Sequence, residues 1–183
     1  MDKKYKIVAL FGKSSAGKDY LQKWIVNNYD VNKMISCTTR PPRDYEKHGV
    51  DYYFLSNAAF VEKVLNGEIL EATEFRNWFY GTPIETLDKD KINIGVFNPS
   101  GVSFLLEDPR VEVYPIWIQA SDKRRLMRSL NREANPDCAE ICRRFATDET
   151  DFADIDFEYL VYNNESNDNL PELRKIINNI GQK

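Results

Sequence analysis

Lys6-Ile7-Val8-Ala9-Leu10-Phe11-Gly12-Lys13-Ser14-Ser15-Ala16-Gly17-Lys18 decides the fold. The apolar run 7–11 ends at a glycine and reads as a buried strand. Gly12 and Gly17 then frame a loop with the spacing Gly-x-x-x-x-Gly-Lys, and a helical pattern follows. Glycines at these positions let backbone N–H groups turn inward around phosphate oxygens. The start of the next helix adds partial positive charge, and Lys18 adds a full one. The strand and helix on either side favour this reading over a chance glycine turn. Gly12, Lys13, Ser14, Ser15, Ala16, Gly17, Lys18 and Asp19 are therefore the expected contacts to the phosphates of a nucleoside triphosphate, with Lys18 at the β- and γ-phosphates. Asp19 stands where such loops carry Ser or Thr. Its carboxylate suits Mg²⁺ as an oxygen ligand, and it equally suits the first turn of a helix, where the dipole favours an acid. Both readings stay open.

Working outward, the spacing predicts a helix over 18–28 with Leu21, Trp24 and Ile25 on one face, and a weaker strand over 31–36. Residues 40–90 change character, with turns, aromatics and short alternating runs; they read as a small inserted subdomain of strands plus a helix near 58–65. A strand pattern resumes at 92–97. Asn98-Pro99-Ser100-Gly101 is a turn signal, and 111–118 is another strand. Ser121 reads as the N-cap of a charged helix reaching 133. Asn135-Pro136-Asp137 breaks the chain before a second basic helix. The last strand is expected at 157–162, and a closing helix at 170–180 with Leu173, Ile176, Ile177 and Ile180 facing inward. Strands alternating with helices predict an α/β fold, a parallel sheet covered on both faces.

The chain has 183 residues, enough for one domain with an insertion. A domain of this size buries roughly 70% of its unfolded surface. A net charge of −4 argues against a nucleic-acid polymer or a membrane surface as partner, and the longest apolar runs fall far short of a membrane span. Met1-Asp2-Lys3-Lys4-Tyr5 leads directly into a strand, which predicts no secretory leader. Three cysteines, Cys37, Cys138 and Cys142, fit a reduced cytoplasmic chain. Cys138 and Cys142 share a helix face, but a metal site there would need two more ligands, and the one histidine, His48, is remote in sequence.

Residues 36–54 read Ser-Cys-Thr-Thr-Arg-Pro-Pro-Arg-Asp-Tyr-Glu-Lys-His-Gly-Val-Asp-Tyr-Tyr-Phe. Arg40 and Arg43 flank a stiff Pro-Pro pair, and two guanidinium forks on a rigid turn suit a dianionic phosphate. Tyr52 and Tyr80 offer hydroxyls to the same oxygens. Glu71 sits in an apolar alternating run, where a free carboxylate is costly; a guanine edge presents two N–H donors that a carboxylate accepts as a pair. Ser36 and Thr82 are placed to complete the contacts to the base. Further along, Arg124, Arg125, Arg128, Arg132, Arg143 and Arg144 crowd two predicted helices, with Arg124, Arg128 and Arg132 recurring every four residues on the first. Alone they read as a solvated charged face. Beside a phosphate loop they suit neutralisation of a transferring phosphoryl group. Two phosphate sites on one chain point to transfer between two nucleotides.

With these blocks in hand, the chain resembles the guanylate kinase family along nearly its whole length. The resemblance rests on the loop at 12–18, Ser-Cys-Thr-Thr-Arg-Pro-Pro-Arg at 36–43, Glu46, Gly-Val-Asp-Tyr-Tyr-Phe at 49–54, Leu70-Glu71, Tyr80-Gly81-Thr82-Pro83, the basic helices, and Val161-Tyr162-Asn163-Asn164. It implies a P-loop three-layer α/β sandwich with a parallel five-stranded core sheet, a mixed β insertion and a helical lid. The implied boundaries are core at 1–36, 91–120 and 151–183, insertion at about 37–90 and lid at about 121–150. The implied activity is phosphorylation of GMP or dGMP by ATP with Mg²⁺, by direct in-line transfer, in a cytoplasmic monomer or homodimer. Ser36, Arg40, Arg43, Tyr52, Glu71, Tyr80 and Thr82 fall on the family's GMP positions. Arg128 and Arg132 fall on the first lid helix, Arg143 and Arg144 on the second, and Asn163 near the adenine. The family's Asp-x-Asp stretch is replaced: Val96 and Asn98 stand where the two aspartates are expected, so Asn98 can still accept a bond from guanine but brings no charge. The rival readings are a broader nucleoside monophosphate kinase and a non-catalytic module that binds phosphorylated protein.

Overall fold

Strand β1, Tyr5–Phe11, is the axis of the molecule. It pairs in parallel with β7, Ile92–Phe97, on one side and β8, Val111–Gln119, on the other. Strand β2, Val31–Lys33, lies beyond β7, and β9, Tyr159–Tyr162, lies beyond β8, which completes a five-stranded parallel sheet in the order β2-β7-β1-β8-β9. The computed structural model describes residues 3–42, 46–75, 77–132, 134–153, 157–164 and 170–182.

Side chains alternate along β1 because a strand repeats every two residues. Val8 and Leu10 point to one face and pack with Leu21 and Ile25 of α1, Lys18–Asn28, and with Leu173, Ile176, Ile177 and Ile180 of α6, Leu170–Gly181. Ile7, Ala9 and Phe11 point to the other face and meet Val102 and Leu105 of α3, Pro99–Glu107, together with Phe152. Most of these side chains are fully buried, and each one larger than alanine contributes about 1.5–3 kcal/mol relative to exposure. The three-layer α/β expectation holds, and so do the four inward residues of the closing helix.

A second, mixed sheet of four strands lies within residues 37–83, in the order β4-β3-β6-β5. Its strands are β3 (Cys37–Thr38), β4 (Tyr53–Phe54), β5 (Ile69–Phe75) and β6 (Trp78–Pro83). Helix α2, Asn57–Leu65, covers it through Phe60, and Ser56 caps the helix by accepting the Ala59 N–H at 3.2 Å. The return to the first sheet is pinned by Asn93. This fully buried amide accepts the Asp88 N–H at 2.8 Å and donates to the Asp88 carbonyl at 2.8 Å and the Lys6 carbonyl at 3.1 Å.

Several elements differ from the sequence expectation. The strand expected over 31–36 ends at Lys33, because the chain leaves the first sheet to bury Cys37 in the second. Residues 98–101 are no simple turn; they open α3. Asn98 accepts the Gly101 N–H at 2.8 Å, and Pro99 takes the first helical position, where no N–H is needed. Helix α4, Asp122–Leu130, stops short of 133, and α5 runs Cys138–Asp151 with Asp137 capping the Glu140 N–H at 3.0 Å. The last core strand starts at Tyr159 rather than 157. Among the described residues no helix is long and apolar enough to cross a membrane.

Candidate active site

The loop between β1 and α1 is shaped by two glycines with no room for a side chain. A Cβ on Gly12 would lie 2.2 Å from the Ile118 carbonyl oxygen on β8. Gly17 has φ +94° and a Cβ there would lie 2.2 Å from Asn163 Nδ2. Lys18 opens α1 and folds back over the loop, donating to the Gly12 carbonyl at 2.7 Å and the Lys13 carbonyl at 3.1 Å. Burial lowers the Lys18 pKa below the ordinary lysine value, and Asp19 and Asp148 oppose that shift. Asp19 itself is exposed.

A cleft of about 690 Å³ opens beside this loop. Ser14, Ser15 and Asp19 form one wall, Ser36, Glu46 and Tyr52 a second, and Arg132 and Arg144 a third. On the second wall Arg40 donates from Nη2 to both carboxylate oxygens of Glu46, at 2.8 and 2.9 Å. Its guanidinium lies 5.6 Å from the Tyr52 ring centre and 5.9 Å from that of Phe54. Tyr80 stands edge-on to Tyr52 at 6.2 Å. The hydrogen bond to Glu46 raises the Arg40 pKa further. Arg40 thus enters the site as half of an ion pair, a partner that the sequence argument did not assign. Arg43 lies outside the described residues.

Pairing of β5 with β6 brings Glu71 and Thr82 together. The Thr82 hydroxyl donates to Glu71 Oε1 at 2.9 Å, and both residues are buried. Burial pushes the Glu71 carboxyl up to about 8, against a smaller opposing effect of the Thr82 bond. Its other oxygen faces the start of α3: a Cβ on Gly101 would lie 3.5 Å from Glu71 Oε2 and 2.9 Å from Asn98 Oδ1. Asn98 is exposed, and its Oδ1 already accepts from Gly101 and from the Ser100 hydroxyl. Ser36 is half-buried on the cleft wall.

The arginines expected to form one stripe occupy three different settings. Arg128 is half-buried and donates to the Asn163 carbonyl at 2.8 Å and the Ala16 carbonyl at 3.2 Å. Arg132 lies past the end of α4, exposed on the cleft wall. Arg124 is exposed on α4. On α5, Arg143 and Arg144 both donate to Glu140, at 2.8 and 2.6 Å, and of these two Arg144 lines the cleft. Asn163 is buried with its amide donating to the Ala16 carbonyl at 2.7 Å. Arg125, one of the clustered arginines expected over the phosphates, is instead buried beside the loop with Asp148, a residue the sequence did not single out. No signal in the sequence marks them: Leu126, Met127 and Leu130 of α4 face solvent while Arg125 faces inward, the reverse of what residue type leads one to expect.

A family model described as guanylate kinase matches residues 4–180. A guanylate kinase of Clostridioides difficile is 30% identical over 181 residues, covering 96% of this chain and 88% of that relative. Guanylate kinases of Malacoplasma penetrans and a Nostoc species are 47% and 40% identical over 90 and 83 residues, stretches that span only 46% and 42% of those relatives' lengths. The crystal structure of guanylate kinase from Anaplasma phagocytophilum shares the fold, with a TM-score of 0.67 at 24% identity over all of this chain and 87% of that one.

Proposed function

The chain belongs to the guanylate kinase family, and from that premise we propose that it transfers the γ-phosphoryl group of ATP to GMP or dGMP. The observation that carries the proposal is the cleft itself, with the phosphate loop on one wall and Ser36, Glu46 and Tyr52 on another. The chain would seat ATP on residues 12–19 and the acceptor phosphate near Arg40, Arg43, Tyr52 and Tyr80. Glu71, Thr82 and Ser36 would read the guanine edge, the carboxylate taking N1–H and N2–H together, while Asn98, whose Oδ1 caps α3, would have to share that oxygen to join them. The residues at about 37–90 then act as the acceptor-binding insertion and those at about 121–150 as the lid.

The attacking oxygen belongs to a phosphate that is already anionic near neutral pH, so no general base is needed. His48 fits that view, since it is exposed and its Nδ1 accepts the Phe54 N–H at 3.2 Å. Lys18, with Arg132 and Arg144 from the cleft wall, would neutralise charge on the transferring group. Arg128 and Asn163 would hold the outer side of the loop, where the adenine end of ATP is expected, and Arg143 would support Arg144 through their shared Glu140. The family works with ATP and a divalent metal. Among the described residues no group of three acids, histidines or cysteines is placed to hold a metal alone, but the exposed Asp19 carboxylate on the cleft wall fits an ion shared with ATP phosphates. Mg²⁺ bound there would supply further charge neutralisation at the phosphates. The free cysteines suit a reducing cytoplasm, where the chain would act on free nucleotides as a monomer or homodimer.

An ADP-release assay with Mg²⁺-ATP and GMP, dGMP, AMP, CMP or UMP in turn tests the proposal. Release with GMP and dGMP alone is expected. Similar rates with several bases would move the reading to a broad nucleoside monophosphate kinase. No release from folded protein that still binds GMP would overturn it in favour of a binding module.

Glu71 adds a pH dependence with a definite sign. Its folded pKa of about 8 stands above the ordinary 4.5. Between these values the folded protein holds a proton that the unfolded chain has lost, so stability falls as pH rises through this window and levels off above it, by on the order of a few kcal/mol in all. GMP binding prefers the ionised carboxylate, so it releases that proton and KM for GMP falls as pH rises from 6 to 8, by no more than about tenfold per pH unit. A Glu71→Gln variant is expected to flatten both profiles while weakening GMP binding. A wild-type melting profile with no decline between pH 5 and 8 would contradict the assignment.

A further inference from the structure

The lid grips the phosphate loop residue by residue. Lys13 donates to Glu149 at 2.5 Å, the Ser15 and Ser129 hydroxyls share a hydrogen bond at 2.7 Å, and Arg128 reaches the Ala16 carbonyl. Ser14 is held most firmly, from both helices at once. Its N–H donates to Asp148 Oδ2 at 2.8 Å and its hydroxyl to Asp148 Oδ1 at 3.2 Å, while Arg125 Nε donates to its carbonyl at 2.9 Å. Arg125 and Asp148 are also ion-paired to each other. Arg125 is fully buried; it bonds Asp122 at 2.6 Å and lies 4.3 Å from the centre of the Phe145 ring.

A buried ion pair is a poor device for stability, since apolar residues of similar volume commonly serve as well. What it does here is directional. The Ser14 N–H belongs to one peptide and the Ser14 carbonyl to the next, so fixing both sets the Ser14 dihedrals. The following residue, Ser15, is held at φ +59°, a conformation that side chains other than glycine rarely adopt. We propose that Arg125 and Asp148 are positioning residues for phosphoryl transfer, clasping the Ser14 peptides so that the loop is set to receive the triphosphate whenever the lid is docked. The proposal rests on the reading of residues 12–19 as the ATP site. It makes the lid helices part of the loop's geometry as well as a cover over it.

The test compares wild type with Arg125→Leu/Asp148→Ala, which removes both charges, and with Asp148→Asn, which keeps the shape and one acceptor. The first readout is amide hydrogen exchange of the peptide containing Ser14 in nucleotide-free protein; the second is KM for ATP against KM for GMP. Exchange about tenfold faster in the double variant is expected, with KM for ATP raised about tenfold and KM for GMP within about twofold. Asp148→Asn should move both readouts in the same direction, less far, and it carries the test if the double variant fails to fold. Unchanged exchange and ATP parameters in a folded variant would overturn the proposal, and so would equal rises in both KM values. Lack of turnover in the wild type would strike the kinase reading instead, and the exchange measurement would still report on the clasp.

Discussion

Lys18→Met is expected to lower kcat by about a thousandfold while leaving KM for GMP nearly unchanged. Removing one preorganised donor from a developing charge costs about two to three orders of magnitude, and Lys18 carries a full charge in a half-buried setting whose desolvation already disfavours it. Holding an ammonium there costs desolvation energy, offset in part by the Gly12 and Lys13 carbonyls that accept from it. Phosphate oxygens would offset it far better, which fits the proposed seat for ATP. Methionine fills much of the same volume and needs no solvation, so the melting temperature should stay within a few degrees. Initial rates with saturating ATP and varied GMP, alongside a thermal melt, decide the matter. Activity within tenfold of wild type would mean that the loop does not carry the charge stabilisation assigned to it.

Gly12→Ala should be the most damaging glycine-to-alanine change in the chain. The added Cβ would lie 2.2 Å from the Ile118 carbonyl oxygen and 3.1 Å from its carbon. Both are backbone atoms of β8, which is hydrogen-bonded to β1 on one side and β9 on the other. Nothing there can rotate away, so either the sheet or the loop must move. The expected loss is about 2–4 kcal/mol of stability, with ATP binding lost from whatever fraction folds. Gly67→Ala is the control: it has φ +70° but nothing within 4 Å of the new Cβ, so it should cost only about 1 kcal/mol of backbone strain. Denaturant melts of the two variants separate close approach from conformational preference. Equal losses would show that the contact with β8 yields.

Legibility in the sequence followed the range of the interactions involved. The phosphate loop, the strand before it and the helix after it are neighbours along the chain, and their signals lie within residues 5–28. The closing helix was equally plain, because Leu173, Ile176, Ile177 and Ile180 repeat at the helical period and all four are buried. Helix α3 went unread because Asn, Pro, Ser and Gly serve turns and helix caps alike; only the bond from Gly101 to Asn98 tells them apart. Glu71 and Thr82 were singled out one by one, but the hairpin decides that they share a hydrogen bond and how far burial shifts the carboxyl.

Helices α4 and α5 mark the boundary most clearly. By itself the sequence determined that many arginines stand on two helices beside a phosphate loop, since residue type and spacing are written in it. Only the tertiary structure decided what each one faces. Arg125 turns inward to Asp148 and Ser14, Arg128 holds Ala16 and Asn163, and Arg132 and Arg144 line the cleft. The physical reason is that a buried guanidinium is tolerable only where carboxylates and carbonyls from other elements meet it. Those partners lie up to 112 residues away along the chain, so no local pattern records them.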